Sequence, residues 1–297
     1  MRILFVLYFF IVSCSDSSNI LPSSTGKTSE VVFVVDDILW EHSYDTIVRS
    51  IFGAQIDGIN KVEPIFKIIQ INATEFKSFL KTHKNIVLFT EDTINFQGTN
   101  KWASNQFISH ISLSNNFLQL RKELYSIRQS LKEREINYIR KTLIKSSQKK
   151  IEKKLKTNFG VDIIVPKEYI IERVDTNLFL ASYDPIKSEE IKKIIIFSFI
   201  PKSINIAQEV LTQSDSIFSV YLLGESKQSY VKIEPAYLPY YVDGFYRGLW
   251  RLHNGFMGGP FIIKTHLQNE KLIVSIGLVF APHSKKRKYI KEFEAIL

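Results

Sequence analysis

Val31-Val32-Phe33-Val34-Val35-Asp36-Asp37 opens with five apolar residues and closes on two carboxylates. An unbroken β-branched and aromatic run of this length reads as a strand buried on both faces. Asp36 and Asp37 suit the start of a helix, which continues to about Phe52. Working outward, Pro64 to Ile71 reads as a second strand. Asn72-Ala73-Thr74-Glu75 has the form of a capping box and predicts a helix ending near Lys84. Asn85 to Thr90 and Gln106 to Leu113 read as further strands. The β-α-β-α-β order makes residues 30–113 a small α/β lobe.

Ser114 caps a long helical segment, residues 114–160. Phe117, Leu120, Leu124, Ile127 and Leu131 recur at steps of three and four, forming one apolar stripe, and Ile136, Ile139, Leu143, Ile151 and Leu155 extend it. Gly160 is a natural stop. A continuous helix here would run roughly 60 Å, so it breaks near Ser146-Ser147, projects, or lies across both halves of the molecule. The stripe reads as intramolecular packing, with self-association as the lesser reading, and the oligomeric state stays open. Arg121 to Lys156 holds 13 Lys/Arg against 4 Asp/Glu, a net of +9, so the rest of the chain is close to neutral within a total of +9. Such a helix is first a solvated face and second a contact for anionic envelope material.

From Val161 onward the chain turns β-rich. Val161 to Val165, Tyr169 to Ser182, Ile191 to Phe199 and Phe218 to Leu223 hold strand candidates. Phe261 to His266 and Lys271 to Phe280 form a hairpin around Gln268-Asn269. Ile204 to Thr212 reads as a helix, and Ser284 as the cap of a last one, Lys285 to Leu297. The expected class is α+β: an N-terminal α/β lobe, a long basic central helix, and a β-rich lobe over residues 161–297 ending in a helix. Residues 30–297 could form one compact unit.

The amino terminus speaks to location. Met1-Arg2 precedes an apolar run from Ile3 to Val12, half the ~20 residues that a membrane-spanning helix needs. A positive start, a short apolar core and small residues make residues 1–13 a signal peptide. Ile11-Val12-Ser13-Cys14 fits a lipobox: an aliphatic residue three before the cysteine and a small one directly before it. Cys14 is the only cysteine, so an intrachain disulfide is ruled out and its thiol is free to take a diacylglyceryl group. Several acyl chains on one cysteine anchor stably where one does not. Residues 14–29, rich in Ser and Thr, read as a flexible tether. Ser15 after the cysteine points to the outer membrane, on its periplasmic face, with Asp16 a slight hint of surface export. Nucleic acid is not an expected partner for an exported chain.

No residue constellation specifies a reaction. His42, His83, His110, His253, His266 and His283 include no pair at helical metal-site spacing. There is no GxSxG elbow and no GxxxxGK loop. Asp36-Asp37 and Glu189-Glu190 fall at helix starts, where capping explains them. No catalytic residue, metal or cofactor is therefore assigned. The most unusual stretch runs from Asp243 to Phe261 and holds five of the twelve glycines. Arg247, Trp250, Arg251, His253, Asn254 and Met257 make it a candidate binding loop, because arginine can fork onto an anion and stack on a ring. Against that stands a tight aromatic-packed link between two strands, with the arginines in internal ion pairs; Gly258-Gly259-Pro260, as punctuation before a strand, favours this second reading.

Arg247-Gly248-Leu249-Trp250, Met257-Gly258-Gly259-Pro260-Phe261, Ala281-Pro282, Lys286-Arg287 and the closing Phe293-Glu294-Ala295-Ile296-Leu297 together resemble domain-of-unknown-function family 4837. Ser24-Thr25-Gly26-Lys27, the Trp40 helix, Glu63-Pro64-Ile65-Phe66 and His83-Lys84-Asn85-Ile86 extend the resemblance to the front half. It implies an envelope lipoprotein of the Bacteroidota type and supplies no catalytic residue. The expected role is a non-enzymatic binding or assembly factor, anchored by lipid and facing an envelope protein, peptidoglycan or anionic lipid. The alternative is a hydrolase or transferase acting on cell-wall or glycan material through the loop at 247–254.

Overall fold

The computed structural model describes residues 21–92 and 94–297. Residues 1–13, read from the sequence as a signal peptide, and Cys14 lie outside the described residues. The chain is α+β, with two sheets joined by a long helix.

The first sheet has the order β2-β1-β3-β5-β4. Its strands are β1 (Glu30–Val34), β2 (Lys67–Ile71), β3 (Asn85–Thr90), β4 (Phe96–Thr99) and β5 (Phe107–Ser112). All pairs are parallel except β4 with β5. β1 is buried along its whole length because both of its faces are covered. Beyond the short α1 (Asp37–Leu39), a π-turn at Trp40–Tyr44 and α2 (Asp45–Phe52) meet Val31, Phe33 and Val35. Val32 and Val34 face Phe76, Leu80 and Trp102. Asp36 caps α1 through the N–H of Ile38.

Two expectations fail in this lobe. Asn72 does not start an α-helix: its side chain accepts from the N–H and hydroxyl of Thr74, closing a local turn. Ser78, at φ 46°, interrupts any helical path, and only a short 3-10 turn, Ser78–Thr82, follows. This course lets Phe76 pack edge-on against Trp102, 5.7 Å away. The tether, read as running to residue 29, ends earlier. The Pro22 carbonyl accepts from Ser104 N–H, Thr25 N–H donates to the Thr82 carbonyl, and Ser29 is buried. Polar composition hid this docking, because main-chain groups make it.

α3 (Phe117–Lys145) is one continuous helix, capped by a reciprocal Asn116–Gln119 box. Leu120, Leu124, Ile127 and Leu131 bury against the first sheet, and the second half of α3 lies along the last helix, α6 (Arg287–Ile296). The break comes at Ser146–Gln148, where Gln148 N–H donates to the Val165 carbonyl and Lys167 N–H to that of Ser146. α4 (Lys149–Phe159) follows and ends on Gly160 at φ 71°. The segment both breaks and lies across the two halves.

The second sheet is antiparallel, in the order β10-β11-β12-β13-β8-β7-β6, with β9 also on β11. Its strands are β6 (Ile170–Val174), β7 (Leu178–Tyr183), β8 (Ile191–Phe199), β9 (Tyr230–Ile233), β10 (Tyr240–Val242), β11 (Phe245–His253), β12 (Gly258–Gln268) and β13 (Lys271–Phe280). The β12–β13 hairpin turns at Asn269, φ 54°, as its sequence predicts. α4 and α6 cover one face and α5 (Ile206–Tyr221) the other. Val161–Val165 is no strand: it is a buried link over the helix ends, with Ile164 N–H on the Ile296 carbonyl. Phe218 to Leu223 is not a strand either. Val210, Ser214 and Phe218 form the buried stripe of α5, which runs on to Tyr221, and only Leu223 makes a bridge, to Tyr230.

Candidate functional site

The stretch read as a binding loop is mostly strand β11 and its turn into β12. Strand periodicity sends residues three apart to opposite faces, so Arg247 and Trp250 cannot converge on one ligand. Arg247 is buried and its guanidinium donates to the Glu294 carboxylate of α6. Trp250 packs on the α5 side, and its indole N–H donates to the Val279 carbonyl at 3.2 Å. Gly259 makes room there, since a Cβ at that position would lie 2.0 Å from the same carbonyl oxygen. Arg251 pairs at 3.4 Å with Glu234, and His253 lies 4.8 Å from the Tyr230 ring. Asn254 holds the turn at φ 53°, and the Met257 carbonyl accepts from Leu252 N–H. The structure does not gather these six residues, and none of them lines the groove described below.

A different element gathers charge. α6 brings ionisable side chains into the seam between the lobes, each met by a different part of the chain. Glu63, before β2, accepts the N–H groups of Lys286 and Arg287 and so caps α6 with a carboxylate from the other lobe. Ser284, the expected cap, does not do this. Lys291, 2 % exposed, donates to Ser29 Oγ at 2.7 Å and to Glu135 of α3, and sits 4.6 Å from the Phe66 ring. Burial lowers the pKa of the Lys291 amine, and Glu135 opposes the shift. Lys192 of β8 donates to Glu292 at 2.7 Å and lies 3.5 Å from Glu190. Burial works against the Lys192 charge, but Glu292 and Glu190 outweigh it and raise its pKa. Burial raises the pKa of Glu292, and Lys192 opposes that.

Beside these pairs runs a groove of about 560 Å³. Lys192, Lys285, Arg287, Lys288 and Lys291 line it, against two carboxylates, Glu168 and Glu292. Ser29, Ile139 and Leu143 complete its wall from the first lobe and α3. Lys192 and Lys291 are matched by Glu292, Glu190 and Glu135, so it is Lys285, Arg287 and Lys288 that suit an anionic group. Among the described residues no three His, Cys, Asp or Glu side chains cluster to hold a metal.

Residues 147–297, which hold β11, α6 and most of the groove's charge, match the family model named Domain of unknown function (DUF4837). The chain belongs to DUF4837. The DUF4837 match does not extend to the front half. Residues 24–152 match a second model, Domain of unknown function (DUF8532), so the motifs at 24–27, 63–66 and 83–86 fall there. The two matches meet at the α3–α4 break. The groove draws its charges from the DUF4837 region and its opposite wall from the other. No curated protein matches the chain.

Reading the sequence alone missed Ser29, Glu135, Lys192, Lys291 and Glu292. The spacing of Tyr289, Ile290, Phe293, Ile296 and Leu297 puts the apolar stripe of α6 on one side and Lys291 nearly opposite it, so only the packing of α3 and Phe66 over that side buries the amine.

Proposed function

We propose that this DUF4837 protein is a lipid-anchored cell-envelope factor that binds a partner and does not transform it. Its place is the periplasmic face of the outer membrane, and its attachment is a diacylglyceryl thioether on Cys14. The observation that carries this reading is the lipobox Ile11-Val12-Ser13-Cys14, followed by a polar run that engages the fold by Pro22. Among the described residues no helix is long and apolar enough to cross a membrane. The seam groove supports a binding role, because its excess of cations suits an anionic group on an envelope partner. Of the residues first suspected of holding a glycan, Arg247, Trp250 and Arg251 are tied to neighbours inside the fold, and this weakens the hydrolase reading.

The test is acyl labelling. Cells expressing the full chain and fed radiolabelled palmitate should yield a labelled membrane-bound protein. Cys14→Ala should lose the label and leave the membrane fraction with its circular dichroism intact. Label that survives Cys14→Ala would overturn the proposal, as would a bare Cys14 in the mass of the native protein.

A further inference from the structure

We infer that the end of the first sheet where Pro22 docks is a second membrane contact, a basic and aromatic surface that lies against an anionic bilayer. The inference rests on the anchor at Cys14. Pro22 follows that cysteine by eight residues, a span of at most ~28 Å of fully extended chain. The Pro22 carbonyl accepts from Ser104 N–H at 2.8 Å, and Thr25 is held between the main chains of Thr82 and Lys84. This places the amino ends of β3 and β5 nearest the lipid, since each of those strands starts within three residues of these bonds.

That end has the chemistry of an interfacial surface. Phe79 is 74 % exposed on the turn before β3. Trp102 is half-buried on the link before β5, backed by Phe76. The Lys81 and Lys101 amines sit 5.7 and 4.8 Å from the Trp102 ring. Lys77 is exposed on the same turn. Residues 72–84 carry three lysines and one acid, Glu75, and residues 97–106 carry Lys101 and no acid. Aromatic rings settle at the headgroup level of a bilayer, and lysines lay their stems along such rings while the amines reach anionic headgroups. Exposed apolar side chains occur elsewhere on the surface, Phe256 and Leu238 among them, but here one stands with a lysine-flanked tryptophan where the anchored segment joins the fold, and that combination suits a bilayer.

The full acylated protein, reconstituted into phosphatidylglycerol–phosphatidylethanolamine vesicles with brominated acyl chains, decides the matter through tryptophan quenching. Of the three tryptophans, Trp40 and Trp250 are buried at 7 % and 3 % exposure, so contact quenching reports Trp102. The expected result is quenching in the wild type that Trp102→Phe abolishes and that Phe79→Ser weakens. Anchored protein that floats with the vesicles yet shows no Trp102-dependent quenching overturns the inference and leaves the anchor standing. If mass analysis shows the protein unacylated, the anchor reading fails by itself. The same vesicles then still decide the surface. Salt-sensitive binding that drops about fivefold for each of Lys81→Gln and Lys101→Gln upholds it, and no binding at low salt removes it.

Discussion

Arg247 and Lys291 are both 2 % exposed, and both meet a carboxylate on or beside α6, yet their surroundings differ. Arg247 reaches Glu294 within the second lobe and lines no cavity with its own side chain, although Glu294 borders a second groove of about 370 Å³ with Lys132 and Asp243. Lys291 reaches Glu135 and Ser29 across the seam and lines the groove. The difference teaches that a buried cation marks a candidate site where its own side chain borders open space, as that of Lys291 does and that of Arg247 does not. The Arg247 pair is also imperfect: Arg247 Nε and Glu294 Oε2 have no hydrogen-bond partner. Lys132, 3.4 Å from Glu294, adds a second cation to the same carboxylate.

The largest effect should come from breaking the enclosed pair. Glu294→Ala leaves the Arg247 guanidinium buried and unmatched, and should cost about 3–5 kcal/mol in a denaturant titration. Replacing both partners by apolar residues of similar volume, Arg247→Met with Glu294→Leu, should recover most of that loss, because neither charge then needs desolvating. A single Glu294→Ala variant within 1 kcal/mol of wild type would show that water reaches Arg247, and the contrast with Lys291 would dissolve.

Much of this architecture was legible because burial writes itself into apolar spacing. The unbroken Val31–Val35 run announced a strand covered on both faces, and the Leu120-to-Leu131 stripe announced the docked half of α3. The hairpin at Asn269 was equally plain. What failed were short segments where two periods compete. Phe218 to Leu223 is apolar enough for a strand, and only its phase with Val210 and Ser214 reveals a helix. Asn72 can cap a helix or close its own turn, and the demand on Phe76 decided between them. The site was less legible still. Its parts, Ser29, Glu135, Lys192 and Lys291, are spread over more than 260 positions of a 297-residue chain and meet only in the fold. The Arg-Trp-Gly stretch drew the eye by composition, while its alternation along one strand keeps its members apart.

A smaller effect is expected across the seam. Glu135→Ala removes the carboxylate that Lys291 and both polar groups of Ser29 engage. Because Lys291 borders the groove, water can replace part of what is lost, so the cost should be about 1–3 kcal/mol. Hydrogen exchange should show where it falls: protection should drop at Ser29 and along α6 and persist in the central strands β12 and β13. A loss as large as that of Glu294→Ala, spread evenly over both sheets, would mean that the seam is as dry as the Arg247 pair.

The smallest effect is a pH dependence that isolates Lys291. Burial lowers its pKa in the folded state below the 10.5 of an exposed lysine. Between the folded value and 10.5 the unfolded chain holds the proton and the folded chain does not, so stability must rise with pH in that window. Below it, the penalty for burying the ammonium is constant. One proton sets an upper limit of about 1.4 kcal/mol per pH unit on the slope. Other groups titrate at alkaline pH as well, so the informative quantity is the stability of the wild type minus that of Lys291→Met, measured as pH climbs toward 10.5. A difference that rises with pH marks Lys291 as a desolvated ammonium held at the groove wall. A flat difference would mean that the groove hydrates it fully, and a falling one that Glu135 outweighs burial.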